Sequence, residues 1–167
     1  VSKLKMRVTG SDAETEEFWL IRRESFNLLR HHVQGLRTAP FIDDFSVRAE
    51  ALPEFLPKLY SILGKYKLLY TIAGHVGDGN FHFGYLIDPN SADERATAED
   101  LNNKLVARAL SLEGTCTGEH GIGTGKIDFL EQELGEAVDV MRCVKAALDP
   151  DNIMNPGKIF RQEFARV

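Results

Sequence analysis

Apolar residues recur along the chain at two periods, and the switches between them lay out the elements. Phe18, Ile21 (with Trp19), Ser25, Leu28 and Leu29 return at helical spacing. Ser11-Asp12 ahead of them offers an N-cap, and Glu14, Glu16 and Glu17 suit the positive end of a helix dipole. These signals predict a helix from about Ala13 to Leu29. Phe41 to Val47 reads as a strand. Pro53 then opens a second helix, at a position where proline is tolerated. Phe55, Leu56, Leu59, Ile62 and Leu63 form its apolar stripe, and Gly64 weakens its end. Leu68 to Ile72 and Phe81 to Ile87 read as strands entering and leaving a glycine-rich turn. After the turn cluster Asp88-Pro89-Asn90-Ser91, a long helix is expected from about Ala92 to Leu112, with Leu101, Leu105, Val106, Ala109 and Leu112 on one face. Thr115-Cys116-Thr117 is short and β-prone. Gln132 to Leu148 reads as one amphipathic helix, with Leu134, Val138, Met141, Val144 (or Cys143) and Leu148 inward. Asp149-Pro150 stops it.

The order β, α, β, β, α, β is the split βαβ, ferredoxin-like arrangement, an α+β fold with an antiparallel sheet. An N-terminal helix and C-terminal helices are additions to it. At 167 residues the chain reads as one domain, 1–167, and a hydrophobic content of 43% suffices for a core. The net charge of −5, without a clustered basic patch, speaks against a nucleic-acid partner. Cys116 and Cys143 show no metal-type spacing and imply no structural disulfide. No apolar run approaches the ~18–20 residues of a membrane span, and no signal peptide is visible. A cytoplasmic location is expected, with peripheral membrane attachment left open. The start at Val1 is compatible with a fragment of a longer protein. Homo-oligomerisation stays open.

Two stretches carry chemistry. In Gly74-His75-Val76-Gly77-Asp78-Gly79-Asn80-Phe81-His82, two histidines flank a turn. Asp78-Gly79 at the centre of a type I′ hairpin would set His75 directly opposite His82. Opposed side chains have Cβ atoms about 4.5–5.5 Å apart, close enough for two imidazoles to share a divalent metal. The same residues also allow a plain hairpin with two polar side chains.

The second stretch, Gly114 to Lys126, holds five glycines before Lys126, next to Glu119 and His120. A phosphate loop would need glycine where His120 stands and serine or threonine where Ile127 stands. A dinucleotide fingerprint from Gly121 would need glycine at Lys126. Both readings fail on those positions. Glu119 could complete a His-His-carboxylate metal set on the same sheet. Imidazoles ordinarily titrate near pH 6.5, about where a general base works, and His120 lies just outside that set. An exposed polar turn is the alternative. Arg22, three positions after Trp19, reads by itself as a solvated arginine.

The first stretch, Gly118-Glu119-His120-Gly121-Ile122-Gly123 and Asn155-Pro156-Gly157-Lys158 together resemble the three motifs of the FAD-linked oxidase C-terminal domain of vanillyl-alcohol-oxidase type flavoproteins. The likeness runs in order from about Phe18 to Phe160. It is nearest to members that oxidise D-lactate, glycolate and D-2-hydroxyglutarate. The resemblance implies that His75, His82 and Glu119 bind a divalent metal, zinc or manganese, and that His120 is the catalytic base. It implies that Arg22 grips the substrate carboxylate. Asn155, Lys158 and Gly121 become flavin-side candidates, and Asn80 supports the turn. FAD itself would be held mostly by an N-terminal FAD-binding domain that this chain does not carry.

The implied reaction is oxidation of a D-2-hydroxy acid by hydride transfer to flavin. Some family members place asparagine two residues after the second histidine to hold a second substrate carboxylate; here Gly84 stands there, which favours a smaller acid. The residues alone also admit a metal-dependent hydrolase domain or a non-catalytic ferredoxin-like ligand-binding module. They do not name the electron acceptor.

Overall fold

The structure, a computed structural model, describes residues 9–32, 35–39 and 43–161. They fall into two compact units, 1–37 and 38–167. The first is built on α1 (Asp12–His32), a little longer than the predicted helix. Ser11 caps it: its hydroxyl accepts the Glu14 N–H at 3.3 Å and its carbonyl accepts the Thr15 N–H at 3.0 Å.

The second unit begins within β1 (Arg37–Thr38). It continues through β2 (Asp43–Ser46), the 3-10 turn η1 (Ala49–Ala51), α2 (Leu52–Leu63) and β3 (Leu69–Ala73). A second 3-10 turn, η2 (Val76–Asp78), leads into β4 (Asn80–Ile87), followed by α3 (Ala92–Leu110), α4 (Ile127–Leu134) and α5 (Ala137–Leu148). Residues 41 and 42 of the predicted first strand lie outside the described residues. β4 pairs with β1, β2 and β3 in one four-stranded sheet. β2 and β3 run antiparallel to it, and Asp44 of β2 and Ala73 of β3 both stand opposite His82. Beyond β2, Ser46 makes one antiparallel bridge with Thr115, through bonds of 3.1 and 2.8 Å. At the level of His82 and Ser46 the lateral order is therefore Thr115, β2, β4, β3, as in a split βαβ sheet with its last strand reduced to one pair, and β1 adds a further pairing to β4. That strand stops for a chemical reason. The N–H groups of Gly118, Glu119 and His120 go to the Asp44 side chain.

Alternation along β4 sorts its side chains. Phe81, Phe83, Tyr85 and Ile87 enter the core with Phe45 and Val47, against Phe55, Leu59 and Leu63 of α2 and Leu101, Leu105 and Val106 of α3. Phe45 stacks on Phe83 (centroids 5.6 Å) and meets Phe55 edge-on (5.7 Å). Truncating it in Phe45→Ala should cost about 3–5 kcal/mol, read as a lower urea midpoint at unchanged slope. Asn80, His82 and Gly84 project to the other face.

The expected single helix from Gln132 to Leu148 is corrected. Gly135, with φ 51°, ends α4, and α5 starts afresh at Ala137. The break changes the helical phase. Val138 is buried, whereas Leu134, Val144, Leu148 and Cys143 are exposed rather than inward. The core face of the sheet is filled by α2 and α3.

Cys116 is fully buried, and its N–H donates to Glu133 at 2.8 Å. Burial first, and the Glu133 carboxylate second, push its thiol up to about 12. A raised folded value contributes stability below the unfolded thiol's pKa, and that contribution is lost as pH climbs from about 9 towards 12. A chromogenic thiol reagent at pH 8 should therefore titrate Cys143 promptly and Cys116 only on unfolding. Two equally fast thiols would contradict this burial.

Candidate active site

The turn between β3 and β4 is not the expected type I′ hairpin. Such a turn needs positive φ at both central residues, and here Gly79 (φ 68°) has it while Asp78 does not. The chain instead makes a 3-10 turn: the His75 carbonyl accepts the N–H of Asp78 (2.8 Å) and of Asn80 (3.2 Å). A side chain at 79 would meet the Val47 carbonyl at 1.8 Å, so glycine is required there. Ala73, not His75, consequently stands opposite His82. The two imidazoles still approach, with ring centroids 6.2 Å apart and planes at 89°.

Glu119 is where the histidines converge. Its Oε1 lies 2.7 Å from His82 Nε2, 3.5 Å from His120 Nε2 and 3.9 Å from His75 Nε2. His120 stacks on His82 with centroids 4.6 Å apart and planes at 10°. One ligand atom each from His75, His82 and Glu119 falls within a 4.8 Å cluster. Three donors of this kind, two nitrogens and one carboxylate oxygen, suit zinc or manganese. His82 and Glu119 lie 37 residues apart in sequence, and the N–H groups of the second loop that donate to the Asp44 carboxylate tie that loop to β2, beside β4.

Asp44 was not singled out by motif or period, yet it organises both stretches. Its Oδ2 accepts the N–H groups of Gly118 (3.0 Å), Glu119 (3.0 Å) and His120 (2.7 Å) and the Thr117 hydroxyl (3.1 Å). Its Oδ1 accepts Asn80 Nδ2 at 2.8 Å. Burial would raise this carboxylate. The N–H groups of His120 and Glu119, the Asn80 amide and Lys126 outweigh burial and hold it well below the usual carboxylate range. Lys126 lies 3.7 Å away and donates to the carbonyls of Asp44 and Cys116. Asn80 thus supports the turn through Asp44. Gly118 is packed so closely that a Cβ would sit 2.1 Å from Asn80 Nδ2. The signal available in the sequence was phase: Asp44 alternates with Phe45 and so shares the face of the histidines.

A cavity of about 610 Å³ opens beside this cluster, lined by His120, Gly121, Lys126, Phe129, Asn102 and Lys158 among others. The Ile159 N–H donates to the Gly123 carbonyl at 2.7 Å, tying the Asn155-Pro156-Gly157-Lys158 turn to the glycine loop. Asn155 opens that turn with φ 48°, and its carbonyl accepts the Lys158 N–H at 3.1 Å. Two of the three flavin-side candidates, Gly121 and Lys158, therefore face one cavity with His120. Arg22 belongs to the other unit, where its guanidinium lies 5.5 Å over the Trp19 ring.

The three motifs are thus joined in space, and comparison with known proteins bears on what joins them. The family profile "FAD linked oxidases, C-terminal domain" matches residues 2–159. The chain belongs to that family. Among curated relatives, D-lactate dehydrogenase [cytochrome], mitochondrial, of Arabidopsis thaliana is 44% identical over 145 residues, 86% of this chain and 25% of that protein. Glycolate oxidase subunit GlcD of Bacillus subtilis is 33% identical over 157 residues, 93% of this chain and 33% of that protein. D-2-hydroxyglutarate dehydrogenase of Xanthomonas citri is 34% identical over 158 residues, 92% of this chain and 32% of that protein. The chain spans about a quarter to a third of the length of these relatives. Among the described residues, no helix is long and apolar enough to cross a membrane.

Proposed function

We propose that this domain is the substrate- and metal-holding half of an FAD-dependent oxidoreductase that converts a small D-2-hydroxy acid to the 2-oxo acid. The observation that carries the reading is Glu119 Oε1, within 3.9 Å of the Nε2 atoms of three histidines. His75, His82 and Glu119 would hold the divalent metal. Redox chemistry belongs to the flavin and Lewis acidity to the metal, when they are bound.

The chain's own residues do the rest. His120, on the cavity wall, takes the proton of the 2-hydroxyl. The Asp44 contact to its N–H fixes its backbone. For the substrate carboxylate the support is the family resemblance alone, which offers Arg22 as its partner, a contact that is strongest when bidentate. Gly84, two residues after His82 and on the same face of β4, has no side chain with which to grip a second carboxylate. That absence supports a substrate without a second carboxylate. Lys158, Gly121 and Asn155 edge the flavin side. Val140, Val144 and Leu148 of α5 form an exposed apolar row at i, i+4, i+8, which supports a large partner surface such as the N-terminal FAD-binding domain. Mitochondrial relatives support an organellar location over a cytoplasmic one.

The test is a substrate screen on a protein containing both this domain and a flavin-binding domain, followed by flavin bleaching. D-Lactate or glycolate should bleach the flavin, D-2-hydroxyglutarate far less, and chelation should suppress the reaction. No bleaching by any 2-hydroxy acid would overturn the reading. The 167-residue chain alone should purify colourless; stoichiometric yellow flavin would reassign the FAD site to it.

A further inference from the structure

We propose that Asp44 is the positioning residue of this site: it selects which nitrogen of His82 faces the metal, and it shapes the backbone that presents Glu119 and His120. The proposal rests on the reading of His75, His82 and Glu119 as metal ligands.

Register supplies the first argument. Asp44 and His82 are directly opposed on β2 and β4, so their side chains share a face. His82 Nδ1 is buried and completes no hydrogen bond among the described residues, yet it lies 3.3 Å from Asp44 Oδ1. Nε2, on the other side of the ring, lies 2.7 Å from Glu119. A metal-binding imidazole carries its remaining proton on the nitrogen away from the metal, and a carboxylate beside that nitrogen sets the tautomer and the ring orientation. Asp44 stands where that acceptor is needed.

Occupancy supplies the second. Asp44, His82 and His120 also cluster closely enough to hold an ion. Asp44 is the wrong residue for a direct ligand. It is completely buried, Oδ2 accepts four donors and Oδ1 accepts Asn80. Each oxygen of an ionised carboxyl offers about two acceptor positions, so Oδ2 is saturated and Oδ1 keeps about one, which leaves little for a metal. What remains, on Oδ1, points to His82. Three successive N–H groups on Oδ2 fix Gly118, Glu119 and His120 as one rigid arc. The same carboxylate therefore orients one ligand through its ring and another through its backbone.

The experiment uses the full chain, stripped with a chelator and titrated with zinc chloride. The first readout is the ¹⁵N spectrum of the zinc-loaded wild-type histidines. Metal on His82 Nε2 with a retained Nδ1–H supports the proposal; metal on Nδ1 overturns it. The second is zinc affinity of Asp44→Asn, expected to fall about 10–100-fold, as when outer partners of metal ligands are removed. A folded Asp44→Asn protein within threefold of wild type overturns the proposal. If that variant fails to fold, the wild-type spectrum decides alone. Failure of the underlying reading looks different: wild-type chain that takes up no zinc, or zinc that leaves the His75 and His82 signals unmoved, removes the ligand assignment and this proposal with it.

Discussion

Asparagine in place of His120 lowers kcat by about 10²–10⁴-fold, the range that a positioned acid–base group supplies, and changes KM by less than about threefold. The substitution leaves the main-chain N–H that Asp44 accepts at 2.7 Å, so the loop keeps its course. It removes the ring that stacks on His82 at 4.6 Å and the nitrogen that faces Glu119 at 3.5 Å. The effect therefore falls on proton transfer rather than on substrate capture. Steady-state kinetics on the flavin-containing protein, with D-lactate as substrate, measure it. Near-normal turnover would remove His120 from the role of base.

His82→Ala weakens zinc binding by at least about 10²-fold, more than loss of an outer partner does, and abolishes turnover with it. His82 is the most enclosed of the three proposed ligands: its side chain is 18% exposed, against 48% for His75 and 47% for Glu119. It is also the nearest to Glu119, at 2.7 Å against 3.9 Å for His75. His75→Ala should accordingly cost less. A competitive chelator titration ranks the variants, with Lys104→Ala, on the far surface pair with Asp100, as a control at wild-type affinity. Equal affinities for His82→Ala and wild type would remove the metal assignment.

Much of the framework was legible residue by residue. Phe55, Leu59 and Leu63 gave α2 because burial on one side at 3.6-residue spacing is a local property. Phe81, Phe83 and Tyr85 gave β4 because period two sends every other residue to the core. Where a prediction missed, a single local feature had been outweighed. Asp78-Gly79 pointed to a type I′ turn, but Asp78 does not take positive φ, so the chain closed through the His75 carbonyl instead. Leu134 to Leu148 looked like one inward stripe, but Gly135 reset the helix and left Val144 and Leu148 outside.

The candidate site divides in the same way. The sequence by itself determined which chemistry-bearing groups are present and which motifs carry them, since residue type is written in the chain; where glycine is compulsory followed from contacts with distant residues, Val47 at Gly79 and Asn80 at Gly118. Only the tertiary structure decided that Glu119 meets His82 and that Asp44 anchors the loop between them. Those contacts join positions 37 and up to 76 residues apart, and no local period encodes them. Strand pairing sets His82 opposite Asp44, and burial turns an unremarkable acid beside Asp43 into a carboxylate that must collect every nearby donor.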